Sequence, residues 1–256
     1  MKKNIICLVW IFMLLACGGS KARTVPGQLQ PDSAEYLANM GVGYLNSGQW
    51  QQAENSLLKA LQKKPQLVTA MHALSLVYVY RRDFVKAVDM LNRLVLTSPK
   101  FYDAYNLLGT IYTEQGHYQL AKEKLLLAAN AEEYLTPENA FANLAVLEIK
   151  YEKYTSALRY AEKGLLFNRK FAPLYNLKGL ALENMNEYVQ ALENYDKALS
   201  LLPRPDSIYL INSARVATKL GDKQKALNNL ELAMGNAQSQ EQKTEIMKMI
   251  RQLDGG

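Results

Sequence analysis

The sequence has few of the residues that most often carry chemistry. Among its 256 residues there are two cysteines and two histidines. Cys7 and Cys17 both lie near the N-terminus, so the rest of the chain can form neither a disulfide nor a cysteine-ligated metal site. His72 and His117 have no partner at metal-ligand spacing. Phosphate-binding loops and nucleophile elbows are also missing. We therefore expect no enzymatic activity, no metal or other cofactor and no small-molecule substrate.

The charge is mild and evenly spread. The formal net charge is +6, and Lys and Arg alternate with Asp and Glu rather than forming one block. This pattern is typical of solvated helix faces, and it does not predict a nucleic-acid partner. Acidic pairs such as Glu132 and Glu133 are expected to be solvated as well. The longest apolar run, Ile5 to Leu15, is shorter than the roughly 20 residues that span a bilayer.

The N-terminus reads as a lipoprotein signal. Lys2 and Lys3 precede the apolar run, which has the length of a signal-peptide core. The run ends in Leu-Leu-Ala-Cys, which resembles the bacterial lipobox, with a bulkier second residue than usual. The resemblance implies cleavage before Cys17 and lipidation of its thiol, and Gly18 in place of Asp implies the periplasmic side of the outer membrane. An ordinary signal peptide with a chance cysteine, or a retained N-terminal anchor, are the alternatives.

A tether follows the cysteine. Residues 18 to 32, GGSKARTVPGQLQPD, combine Gly, Pro and polar residues and have no helical period. A flexible chain of this length would reach roughly 20 Å from the membrane surface.

The remainder is one unit repeated six times. Six alanines recur every 34 to 36 residues, namely Ala53, Ala87, Ala121, Ala157, Ala191 and Ala226. A large aromatic residue stands three positions before each of the first five, and Lys223 stands before the last. Glycine falls in the turn of some units and proline closes others. This period and pattern identify the tetratricopeptide repeat, a helix–turn–helix unit that buries its apolar face by stacking on its neighbours.

The predicted fold is all-α, a right-handed superhelical solenoid of six units with a C-terminal capping helix. The capping helix is predicted because Ile246, Met249, Ile250 and Leu253 follow a helical period. The predicted boundaries are a signal peptide at 1–16, a lipidated N-terminus and tether at 17–33, repeats at 34–67, 68–101, 102–137, 138–171, 172–206 and 207–239, and the capping helix at 240–256.

The first helices of such units line a concave face, which is the predicted protein-binding groove. Its apolar side chains could instead pack between repeats, and both interpretations stand. A clamp for a C-terminal carboxylate is not expected, because no basic partners accompany the two asparagines of this face. The predicted groove residues are Val42, Leu45, Leu76, Val79, Tyr80, Asn106, Val146, Ile149, Asn176 and Leu180.

Three stretches carry a family resemblance: MGVGYLNSGQWQQAENSLLKAL in the first unit, YLTPENAFANLAVLEIKYEKYTSALRYAEKGLLFNR across the longer third junction, and EYVQALENYDKAL in the fifth unit. With the lipobox, they resemble the type IV pilus biogenesis lipoproteins of the PilF, PilW and Tgl family. The resemblance implies a pilotin, which binds secretin subunits and promotes their outer-membrane localisation and multimer assembly. A periplasmic scaffold for cell-envelope or peptidoglycan enzymes is the alternative.

Overall fold

The computed structural model describes residue 30 and residues 32–255. Cys17 and the predicted signal peptide lie outside the described residues. The described chain forms thirteen helices. They are α1 Ala34–Asn46, α2 Trp50–Lys63, α3 Val68–Tyr80, α4 Phe84–Thr97, α5 Tyr102–Glu114, α6 Tyr118–Ala129, α7 Pro137–Lys150, α8 Tyr154–Phe167, α9 Ala172–Asn184, α10 Tyr188–Ser200, α11 Ser207–Lys219, α12 Lys223–Asn236 and α13 Gln240–Asp254.

The helices pair into six antiparallel hairpins, each the helix–turn–helix unit that the alanine spacing predicts. The aromatic residue of each of the first five units is the first residue of its second helix. The six alanines are at most 1% exposed. Two compact bodies result, one up to Lys100 with α1 to α4 and one from Phe101 with α5 to α13.

All six hairpins share one turn. One residue takes a left-handed φ, and the next N–H donates to the carbonyl five positions earlier, which ends the first helix. Glycine occupies this position in three units, as expected from its freedom at positive φ. Arg82, Glu152 and Asn186 occupy it in the others, with φ of 59°, 59° and 65°. The turn is therefore set by the hairpin as a whole and does not require glycine.

Close helix packing within a hairpin depends on small residues of the first helix. A Cβ added to Gly41 would lie 2.5 Å from Leu57 Cγ and 3.3 Å from the Ala53 carbonyl oxygen. At Gly179 it would lie 2.6 Å from Tyr195 Cδ1. These glycines thus make room mainly for a large side chain of the second helix, which lies one turn after the recurring alanine of that repeat.

The longer third junction is anchored by a tyrosine. Tyr134 is buried, and its hydroxyl donates to Asp103 Oδ1 at 3.0 Å. Pro137 occupies the first turn of α7, where its missing N–H costs nothing. Thr136 is the N-cap residue, but its side chain makes no capping bond to α7.

The C-terminal helix covers the last hairpin. Ile246 is completely buried, and Met249, Ile250 and Leu253 pack against the same cluster as Leu210. The predicted capping role of α13 is confirmed. Within the described residues, no helix has both the length and the apolar character to cross a bilayer.

Candidate protein-binding surface

The predicted groove residues of the first body lie on α1 and α3, which contact each other. Leu45 and Leu76 are buried, whereas Val42 and Val79 are half-buried. The half-buried ring of Tyr80 stacks on Trp50, with ring centroids 4.4 Å apart. Much of this predicted surface is therefore occupied by packing within the body.

The predicted residues of the second body lie on α5, α7 and α9, which contact each other in that order, with α11 next to α9. Val146, Ile149 and Leu180 are half-buried, so each keeps part of its apolar surface exposed. Asn106 is half-buried, but Asn176 is only 2% exposed. We use the name first-helix surface for the half-exposed side chains of α5, α7, α9 and α11.

Asparagine side chains join neighbouring first helices. Asn106 Oδ1 accepts a hydrogen bond from Asn143 Nδ2 at 2.9 Å. Asn176 Oδ1 accepts one from Asn212 Nδ2 at 3.0 Å. Each bond links two successive repeats, and buried amides that satisfy one another fix the register between them. Asn176 is therefore part of the framework, whereas Asn106 and Asn143 are only half-buried.

A buried carboxylate lies next to the second asparagine pair. Glu183 is 6% exposed. Arg215 donates from Nε at 2.6 Å and from Nη2 at 2.8 Å, a bidentate pair, and the Tyr195 hydroxyl donates at 2.9 Å. Burial acts to raise the pKa of Glu183, but the hydrogen bonds and charge of Arg215 outweigh it, and the pKa lies below its ordinary value of 4.5.

The basic residue that the sequence prediction did not identify on this face is thus Arg215. Its second contact is Asn212 Oδ1, at 3.0 Å from Nη2. Lys219 lies 3.5 Å from the Glu183 carboxylate and over the Tyr188 ring. Both cations pair with Glu183, so its single negative charge offsets one of their two positive charges.

A second buried carboxylate, Glu148, is completely inaccessible to solvent. It accepts from Lys122 Nζ at 2.7 Å and from the Tyr118 hydroxyl at 3.0 Å. Burial acts to lower the pKa of Lys122, yet the hydrogen bonds to Glu148 and Tyr118 raise it above its ordinary value. Glu148 occupies the register position that Tyr112 fills in the preceding unit, a substitution in the sequence that could have indicated this pair.

The first-helix surface can bind a protein segment by two kinds of contact. Partly exposed aliphatic side chains offer apolar area at its centre, and the exposed parts of Asn106 and Asn143 offer amide hydrogen bonds. Such a mixture suits an extended or amphipathic segment of another protein. No group of three or more potential metal-ligating His, Cys, Asp or Glu side chains occurs within the described residues.

Three family models match the chain, each described as tetratricopeptide repeat, over residues 37–68, 72–134 and 172–205. These ranges fall on the hairpins described above. This is a tetratricopeptide-repeat protein. The all-α tetratricopeptide-repeat solenoid fold predicted from the alanine spacing is thereby confirmed, and proteins of this class mediate protein–protein interactions.

Relatives of this tetratricopeptide-repeat protein include pilus proteins. It is 29% identical over 165 residues to the type IV pilus assembly protein PilF of Pseudomonas aeruginosa, an alignment that covers 64% of this chain and 66% of PilF. It is also 24% identical over 229 residues to the BBSome complex member BBS4 of Bos taurus, across 89% of this chain and 42% of BBS4. The chain thus matches less than two thirds of the length of either relative.

Solved structures show the same fold. The structure of Pseudomonas aeruginosa PilF matches with a TM-score of 0.70 at 24% identity, covering 84% of this chain and 97% of that one. PilW, described as a widely conserved type IV pilus biogenesis factor, matches with a TM-score of 0.74 at 18% identity, covering 84% of this chain and 98% of that one.

Proposed function

We propose that this protein is a type IV pilus biogenesis lipoprotein, a pilotin. In this proposal it binds secretin subunits and promotes their localisation to the outer membrane and their assembly into multimers. The observation that carries it is the likeness to PilF in sequence and to PilF and PilW in fold. The resemblance of Leu14 to Cys17 to a lipobox adds support, since lipidation there would supply the membrane location that such a role needs.

The roles of the parts follow from their physical chemistry. Acyl chains on Cys17 would hold the protein at the periplasmic side of the outer membrane, since each buried CH₂ contributes about 0.8 kcal/mol. The first-helix surface would bind the secretin segment, and no catalysis is involved.

Deletion of the gene tests the function directly. We expect heat-resistant secretin multimers to disappear from immunoblots while the monomer remains. Re-expression of the wild-type chain should restore them. Normal multimers in the deletion strain would contradict the proposal and favour a periplasmic scaffold for cell-envelope or peptidoglycan enzymes.

A surface variant tests where the secretin binds. Ile149→Asp places a charge at the centre of the first-helix surface and should reduce secretin co-purification at least about tenfold, because a desolvated unpaired charge opposes binding. Val189→Asp is the matched control, since Val189 is 61% exposed and lies on the second helix α10. Equal co-purification by both variants, with unchanged circular dichroism, would exclude this surface.

A further inference from the structure

The second helix of the fourth repeat ends in an exposed apolar and basic segment. Leu166 and Phe167 are 77% and 59% exposed. Lys163 lies one helical turn before them, and Arg169 and Lys170 follow in the turn that leads to α9. These three cations are also exposed. We call these five residues the α8–α9 corner.

Packing does not explain the two apolar side chains of this corner. The equivalent register positions hold Asn130 and Ala131 in the third repeat and Gly235 and Asn236 in the sixth. The Phe167 ring stacks on Phe141, with centroids 5.6 Å apart, but more than half of its surface stays exposed. The fourth repeat therefore exposes large apolar groups where the hairpin itself does not need them.

The first body has a corner that shares three of these five features. Arg93, Leu96 and Lys100 occupy the register positions of Lys163, Leu166 and Lys170 in the second repeat. Leu96 is 82% exposed and borders a shallow pocket that Pro65 and Met71 also line. The arrangement of a cation, an exposed leucine and a lysine thus occurs in the second and the fourth repeats.

The charge of the α8–α9 corner is available to a partner. Its three cations form no ion pair with any described residue, whereas neighbouring Glu162 pairs with Lys178 at 3.2 Å and Glu138 accepts from the Asn168 amide at 3.3 Å.

We propose that the α8–α9 corner inserts into the surface of an anionic lipid bilayer. Leu166 and Phe167 are both more than half exposed, and the interfacial region of a bilayer is deformable enough to bury such side chains. Leucine and phenylalanine would enter the acyl boundary while the lysine and arginine head groups stay at the phosphates. The inference rests on the proposed membrane location, because acyl chains on Cys17 would hold the protein at such a surface.

A fluorescent probe at the corner tests this contact. The purified mature chain carries Leu166→Cys, which is labelled with an environment-sensitive fluorophore. Mass spectrometry verifies that Cys17 is acylated and that residue 166 alone carries the probe. In vesicles of phosphatidylglycerol and phosphatidylethanolamine, we expect a blue shift and quenching by acyl-brominated lipid. The same probe at Val189→Cys is the matched control and should remain in water.

The unacylated mature chain separates the corner from the anchor. It should still bind these vesicles, more weakly, and Leu166→Ser with Phe167→Ser should reduce that binding at least about tenfold. Lys163→Gln removes one positive charge and should reduce it about fivefold. Unchanged melting temperatures would show that the variants fold.

Two outcomes would overturn the proposal. The first is a probe at residue 166 that stays in water while the acylated protein remains on the vesicles. The second is a probe that becomes buried only when secretin is added, which would assign the corner to a protein partner. If Cys17 is not acylated but the chain binds vesicles through the corner, the proposed lipid anchor is refuted and the proposed bilayer contact of the corner is supported.

Discussion

At the scale of single residues, the protein departs from its repeat in two ways that the structure explains. Glu148 and Glu183 are buried carboxylates in a solenoid core that consists mainly of apolar side chains. Each is stabilised by a cation and a tyrosine hydroxyl from other helices. Removal of one partner would leave a buried charge unpaired, which is costly.

The Glu183 pair predicts acid-sensitive stability. Because the folded-state pKa of Glu183 is below its ordinary value of 4.5, its stabilising effect is present above that value and is lost as pH falls through the lowered pKa. Glu183→Gln should reduce the free energy of unfolding by about 1–3 kcal/mol at neutral pH and by less in acid. Urea unfolding at both pH values measures this.

Glu162→Gln is the control for that measurement. Its ion pair with Lys178 is exposed, so its removal should change stability by less than about 1 kcal/mol at either pH. A Glu183→Gln effect of the same size at both pH values would contradict the assigned ion pair.

The shared turn predicts opposite effects for two substitutions. Glu152→Gly should raise the melting temperature, since glycine adopts positive φ without the cost of about 1 kcal/mol that a side chain incurs. Gly116→Ala introduces that cost and should lower it. Thermal unfolding of both variants tests the turn, and a lower melting temperature for Glu152→Gly would show that its side chain stabilises the hairpin.

At the scale of the helix, the close approach within each hairpin is the feature on which packing depends. Gly109 lies against Leu125, as Gly41 does against Leu57, so the leucine side chain of the second helix packs directly on the backbone of the first. Overfilling such an interface displaces a buried leucine.

Gly109→Ala should therefore destabilise the protein by about 1–3 kcal/mol despite the better helix propensity of alanine. Gly43→Ala provides the comparison, because a Cβ at Gly43 meets nothing within 4 Å and the change should stabilise α1 by about 0.5–1 kcal/mol. Chemical denaturation measures the free energy of unfolding of both variants. Equal changes would mean that helix propensity, and not the contact with the leucine, determines the effect of each substitution.

The helices could be predicted from the sequence because the same pattern of residues occurs in six successive units. The alanine spacing gave each second helix, and the period of Ile246 to Leu253 gave the capping helix. The depth of burial could not be predicted. The position of Leu76 or Asn176 within its repeat indicates the helix face on which it lies, but it does not indicate how far neighbouring helices cover that side chain. The cationic partners of Glu183 and Glu148 were also missed, because Arg215 and Lys122 lie 32 and 26 residues away in sequence, in neighbouring repeats.

At the scale of the whole molecule, the proposed anchor would determine where the repeats act. Cys17→Ala should release the protein from membranes, because no acyl chain could then be attached. Fractionation and labelling with radioactive fatty acid measure this. Persistent labelling of the variant would refute Cys17 as the acceptor.

The helix contacts follow the order of the helices in the sequence. The principal contacts join helices that are nearest or next-nearest neighbours in sequence. Loop-closure entropy is therefore small at every step, and low contact order favours fast folding. Each hairpin can therefore form from its own residues, before the repeats that follow it have been synthesised.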